Sequence, residues 1–164
     1  MFTPAVYFKS INKLNGGKAL DLGCGEGGLT LRLLENGYEV DAVDIKSQII
    51  TGVNFIQSDI RNFEIKENYY DLIASRNVLP FLANRKEVED MVAKMFGGLK
   101  EGGIMYFTLF GTRDFRVETR PETVFIDDFL SPGKLIYKSE EFYLGRTKTG
   151  QLRNWHCYSF VVGK

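Results

Sequence analysis

The chain has 164 residues, 44% hydrophobic and 26% charged, and its 21 basic and 21 acidic side chains balance to zero. That length supports one domain with one good core, and a neutral balance argues against the basic face that a large nucleic-acid footprint needs. The purely apolar runs are too short to span a bilayer, and the first residues lack the basic start and long apolar stretch of a secretory signal.

Cys24 and Cys157 have no metal-like spacing, so no metal is expected. Two cysteines without a small disulfide scaffold suit a reducing cytosol, and the expected localisation is cytoplasmic. Cys24 reads as a small residue filling a crowded turn rather than as a nucleophile.

In chain order, residues 4–14 predict a short amphipathic helix with Val6, Phe8, Ile11 and Leu14 as its apolar positions. Residues 19–23 predict a first strand and 27–36 a helix, which Gly37 stops. Strands are expected over 39–44, 53–57 and 71–75, with a short helix after Lys46 and a loop over 61–69. Asn84 reads as the N-cap of a helix to Phe96, whose Val88, Met91, Val92 and Met95 share one face. Residues 104–110 are a nearly continuous apolar run, as a buried central strand should be. Residues 113–130 mix charge and aromatics, which suggests a loop and a short helix. Two last strands, over 134–144 and 156–162, have no long helix between them and so should form an antiparallel hairpin. The whole predicts an α/β chain with a doubly wound, Rossmann-like, mostly parallel seven-stranded sheet.

The chemistry concentrates in KALDLGCGEGGLTLRLLENGYEVDAVD, residues 18–44. Gly23, Gly25 and Gly28 follow the first strand directly. In a nucleotide-binding βαβ unit one such glycine makes a tight turn, one lets backbone approach a ligand and one lets the helix pack close to the strand. Asp44 closes the second strand, where a carboxylate can accept from both ribose hydroxyls. Asp21 lies two residues before the first glycine. A pyrophosphate would be repelled there, whereas a ligand with an ammonium group would be tolerated.

The run DLGCGEG from Asp21 to Gly27 closely resembles motif I of the class I S-adenosylmethionine-dependent methyltransferases. Asp44, the segment Gln57-Ser58-Asp59-Ile60, the strand Tyr70-Asp71-Leu72-Ile73 and the turn Leu99-Lys100-Glu101-Gly102-Gly103 match further landmarks of that superfamily. The resemblance implies one class I methyltransferase domain over residues 1–164, with residues 1–16 covering the cofactor site, and S-adenosylmethionine as cofactor. It implies that Gly23, Cys24 and Gly25 cradle the amino-acid part of the cofactor, with Asp21 near its ammonium. Asp44 and the adjacent Ile45 would meet the ribose side, Ser58, Asp59 and Ile60 would frame the adenine, and Ser75 and Arg76 would lie by the sulfonium.

Methyl transfer from a sulfonium is an in-line displacement that needs alignment and exclusion of water more than a dedicated base. On the acceptor side the candidates are Tyr7, closing over the methyl group, and His156, the only histidine, with Arg146 and Arg153 suited to an anionic acceptor. The place after the fourth strand reads Ser75-Arg76-Asn77-Val78. That is unlike the Asn/Asp-Pro-Pro-aromatic segment of enzymes acting on nucleobase amines. The expected acceptor is therefore a small molecule, with no membrane or nucleic-acid partner and with the oligomeric state open. The YFKS start and the late NWHCY segment loosely resemble the TehB-type methyltransferases, whose acceptors are small soft nucleophiles. The alternatives are a noncatalytic S-adenosylmethionine-binding module, an RNA or protein methyltransferase, and a nucleotide-dependent oxidoreductase. The terminal hairpin and Asp21 argue against the last.

Overall fold

The computed structural model of the chain describes residues 16–147 and 149–164. The expected N-terminal helix over 4–14 and Tyr7 lie outside the described residues. Seven strands form one sheet in the order β3-β2-β1-β4-β5-β7-β6. They are β1 (Gly17–Leu22), β2 (Tyr38–Asp44), β3 (Asn54–Gln57), β4 (Tyr70–Ser75), β5 (Leu99–Phe110), β6 (Lys134–Arg146) and β7 (Leu152–Gly163). The first five pair in parallel, and β7 runs antiparallel between β5 and β6. The expected hairpin is therefore present. The strand order reverses between β1 and β4, the place where open α/β sheets open a crevice at their C-terminal edge.

Helix α1 (Gly28–Glu35) covers one face and α2 (Arg85–Gly98) the other. Leu29 and Leu33 of α1 pack with Ala19, Val40, Leu72 and Tyr106. Val88, Met91, Val92 and Met95 of α2 pack with Leu20, Ile73, Phe107 and Phe160. The central strands thus bury both faces, which is why residues 104–110 of β5 read as a nearly continuous apolar run. Asn84 caps α2 as expected, its side chain accepting from the Glu87 N–H at 3.0 Å.

Residues 45–53 form turns and extended chain, so the short helix expected after Lys46 is absent. Thr51, Gly52 and Val53 leave too little chain before β3 for a stable turn of helix. A 3-10 turn over Leu79–Phe81 and a one-turn helix α3 (Arg116–Thr119) complete the elements.

Phe107 sits at the centre of the larger core, stacked on Phe160 at 4.9 Å and edge-on to Phe129 at 5.7 Å. Phe107→Ala is expected to cost about 3–5 kcal/mol of unfolding free energy in urea melts. Leu130→Ala, at a position 89% exposed, should stay within about 0.5 kcal/mol of the parent. A Phe107→Ala loss as small as the Leu130→Ala one would show that the core is not organised around this ring.

Candidate functional site

The site begins where β1 ends. Gly23 and Gly25 take left-handed backbone angles, φ 76° and 52°, which a side chain would strain. The turn is tied to the end of β2 by three N–H groups. Gly23 and Cys24 donate to the Val43 carbonyl at 2.7 and 3.0 Å, and Gly25 donates to Asp44 Oδ2 at 2.8 Å. These N–H groups are thus spent on β2. What the turn offers a ligand is room: among the described residues a Cβ at Gly25 would meet nothing within 4 Å.

Two glycine roles differ from those expected. Among the described residues a Cβ at Gly28 would meet nothing within 4 Å, so this glycine is not where α1 packs close to them. Gly27 does that work, with φ 83° and Ile50 only 2.8 Å from where its Cβ would stand. At Gly23 a Cβ would fall 2.3 Å from Val78, so here the close approach is to the chain leaving β4.

Asp21 and Asp44 end β1 and β2. Asp21 is 1% exposed and accepts from Thr30 Oγ1 at 2.6 Å. Burial pushes its carboxyl up to about 6, against the opposing pull of the Thr30 hydroxyl. Asp44 accepts from Gly25 and, on its other oxygen, from the Lys46 N–H at 2.9 Å. Each oxygen keeps acceptor capacity for a second donor. Cys24 is buried, and desolvation followed by the neighbouring Asp21 and Asp44 push its thiol up to about 12, so it is no nucleophile at neutral pH.

Beyond these groups opens a cleft of about 800 Å³ whose walls include Asp21, Gly23, Asp44, Arg76, Arg116 and Trp155. A smaller hollow of about 250 Å³ shares Gly23 and Asp44 with it and is lined by Ile45, Asp59, Ile60, Val78 and Phe81. The larger cleft falls within the size range of small-molecule sites. Asp59 is held by the Arg61 guanidinium, which keeps its carboxyl below the ordinary range. Ser58 donates its hydroxyl to the Asp59 carbonyl at 3.0 Å.

Asn77 turns the chain after β4 with φ 57°, and its N–H donates to Thr108 Oγ1 of β5 at 2.7 Å. This places Arg76 in the cleft. Ser75, expected at the cofactor, is fully buried and donates its hydroxyl to the Leu22 carbonyl at 3.1 Å. Its side chain joins β4 to β1 and is not available to a ligand.

His156 also departs from its expected place. It is 1% exposed and absent from the walls of both cavities. Its Nδ1 accepts from the Arg113 N–H at 3.1 Å, and its Nε2 lies 2.9 Å from Glu140. The first bond makes Nε2 the protonated nitrogen, donating to the carboxylate, so neither nitrogen is free to take a proton from an acceptor. A Cβ on Gly111 would lie 2.1 Å from the ring. His156 is a packed link between β5, β6 and β7.

Arg146 and Arg153, proposed for an anionic acceptor, sit at the far end of the β6–β7 hairpin. Arg146 donates to the Gly150 carbonyl and Arg153 to Gln151. Arg116 and Arg120 reach the cleft in their place. Arg116 is 7% exposed, bonded to Asp114 through Nε at 2.6 Å and a terminal nitrogen at 2.8 Å. Its guanidinium lies 3.5 Å over the Phe110 ring and 4.8 Å from the Trp155 ring. These arginines carry a usable sequence signal: basic residues four apart, just beyond a strand whose C-terminal end faces the crevice.

The donor set suits a cationic nucleoside. Carboxylates end β1 and β2, and an apolar slot with Asp59 at its mouth lies beside them. Among the described residues no group of His, Cys, Asp and Glu could hold a metal ion, and no helix is long and apolar enough to cross a membrane.

YqeM of Bacillus subtilis (strain 168) is 27% identical over 123 residues, which is 68% of this chain and 49% of YqeM. The malonyl-acyl-carrier-protein O-methyltransferase of Enterobacter lignolyticus (strain SCF1) is 28% identical over 98 residues, 56% of this chain and 38% of that protein. The chain thus spans about half the length, or less, of these curated relatives. The crystal structure of TehB from Haemophilus influenzae shares the fold, with a TM-score of 0.70 at 18% identity over 98% of this chain and 62% of that one. Residues 20–107 match the family model described as a methyltransferase domain. That match holds the glycine turn, Asp44 and the β4 exit, and with it the chain belongs to the class I S-adenosylmethionine-dependent methyltransferase superfamily.

Proposed function

We propose that this chain binds S-adenosylmethionine across the two connected cavities and transfers its methyl group to a small-molecule acceptor. One observation carries this reading: the cleft holding Asp21 and the apolar slot holding Asp59 and Ile60 share Gly23, Asp44, Val78 and Phe81 as walls. When bound, the cofactor supplies a methyl group on a sulfonium, a leaving group that needs no further activation.

The protein's own part is placement. Asp44 accepts from the ribose hydroxyls with the capacity left after Gly25 and Lys46. Ile60, Val78 and Phe81 close on the adenine, with Asp59 accepting from its amino group. Asp21 faces the ammonium from behind the turn. Its burial makes an uncompensated carboxylate costly, and a nearby cation lowers that cost. Phe81 and Trp155 wall the cleft against water, leaving alignment as the main contribution to rate. A neutral chain and a cleft of this size support a small acceptor over a nucleic acid.

Titration calorimetry with S-adenosylhomocysteine should show binding, and NAD should not compete. Asp44→Ala is expected to weaken that binding by about 1–3 kcal/mol. Preference for NAD would refute the cofactor, and an unchanged affinity in the variant would move the ribose elsewhere. Labelled-methyl transfer to a pool of thiols, amines and oxyanions tests catalysis. Binding without transfer to any small acceptor would favour a binding module.

Asp21 also makes stability depend on pH. Its folded carboxyl titrates at about 6, above the unfolded range, so the folded state holds the proton more tightly. Stability from this group is full below about pH 4 and is lost as pH rises through about 6. Asp21→Asn should therefore gain about 1–3 kcal/mol over the parent in denaturant melts at pH 7.5, with the gain vanishing below about pH 4. An equal difference at both pH values would show that Asp21 is not the titrating group.

A further inference from the structure

The cleft is divided by charge. Asp21, Glu26 and Asp44 stand on the side of β1 and β2, and Lys46 lies with them. Arg76, Arg116 and Arg120 stand on the side of β4, β5 and α3. Arg116 and Arg120 are four residues apart, joined by the Arg120 N–H donating to the Arg116 carbonyl at 2.7 Å. Like charges at that spacing repel, and Arg76 adds a third guanidinium to the same wall.

Asp114 answers only one of the three. It accepts from Arg116 on both oxygens and takes the His156 N–H as well. Among the described residues, the side chains of Arg76 and Arg120 make no hydrogen bond or ion pair. Asp21 attracts Arg76 through space, but it is itself bonded to Thr30 and buried behind the turn. Arg116 packs against Phe110 and Trp155, so its position is fixed by ring contacts as well as by charge. A wall of two guanidiniums without a side-chain bond among the described residues, beside a pinned third and next to aromatic rings, is complementary to a planar anion.

We infer that the methyl acceptor carries an anionic handle, a carboxylate or comparable oxyanion, which Arg76 and Arg120 hold against the Arg116–Trp155 wall. This rests on the methyltransferase reading of the same cleft and narrows its acceptor class. The handle is distinct from the nucleophilic atom, since guanidinium bonds to the nucleophile itself would hold back the lone pair that must attack.

The test uses benzoate, its neutral isostere benzamide, and inorganic sulfate, titrated into the whole chain saturated with S-adenosylhomocysteine. Benzoate is expected to bind at least about tenfold more tightly than benzamide, the size of one or two charge-assisted hydrogen bonds. Arg120→Gln should lower benzoate affinity at least about fivefold while S-adenosylhomocysteine affinity stays within about twofold. Sulfate competing with benzoate would assign the site to oxyanions in general, and benzoate alone to carboxylates; either supports the inference. Equal binding of benzoate and benzamide, or benzoate binding untouched by Arg120→Gln, overturns it. Were S-adenosylhomocysteine itself not to bind, the cofactor reading would fall, and the same titrations without it would still decide the anion wall.

Discussion

The contact between the β1–α1 turn and the end of β2 governs the rest of the site. Val43 gives its carbonyl to two N–H groups of the turn, and Asp44 gives a carboxylate oxygen to a third. These bonds hold Gly23 and Gly25 in a conformation that other residues enter only with strain. They also decide what the turn can do. The Gly23, Cys24 and Gly25 amides are occupied, so at these three residues the ligand meets a concavity bordered by carboxylates and no free donor. A phosphate site would need the reverse arrangement.

From that clamp the two charges of the cleft follow. The strands on one side of the topological switch end in Asp21 and Asp44, and the chain beyond β4 and β5 supplies arginines. The acids are held by hydrogen bonds from their own neighbours. Arg116 is held by Asp114, by the neighbouring Phe110 and Trp155 rings, and by α3 at its base. The acids and Arg116 are therefore preorganised for a ligand of matching charge.

Much of this was legible in the sequence. The alternation of apolar runs and amphipathic stretches reports strands buried on two faces, and the absence of a helix between the last two strands reports their antiparallel pairing. What spacing could not reveal is which neighbours a residue meets. Gly28 fits the glycine pattern by position, yet the left-handed, crowded site is Gly27, because Ile50 arrives from a distant loop. Ser75 and His156 are polar residues near strand ends, and their side chains are consumed by the Leu22 carbonyl and by Glu140 with Arg113. Arg116 and Arg120 lie in an aperiodic stretch after β5. The packing of Phe110 and Trp155 against Arg116 sets its guanidinium at the cleft. In each case tertiary partners decided between a ligand-facing and a structural role.

Trp155 is the only tryptophan of the chain, and it stands in the cleft wall with a guanidinium 4.8 Å from its ring. The protein therefore carries its own optical probe at the place where an acceptor would arrive. Indole emission responds to nearby charge and to water, and no second indole exists to dilute the signal. Events on the arginine side can be followed in the unlabelled protein by the colour and intensity of its own fluorescence.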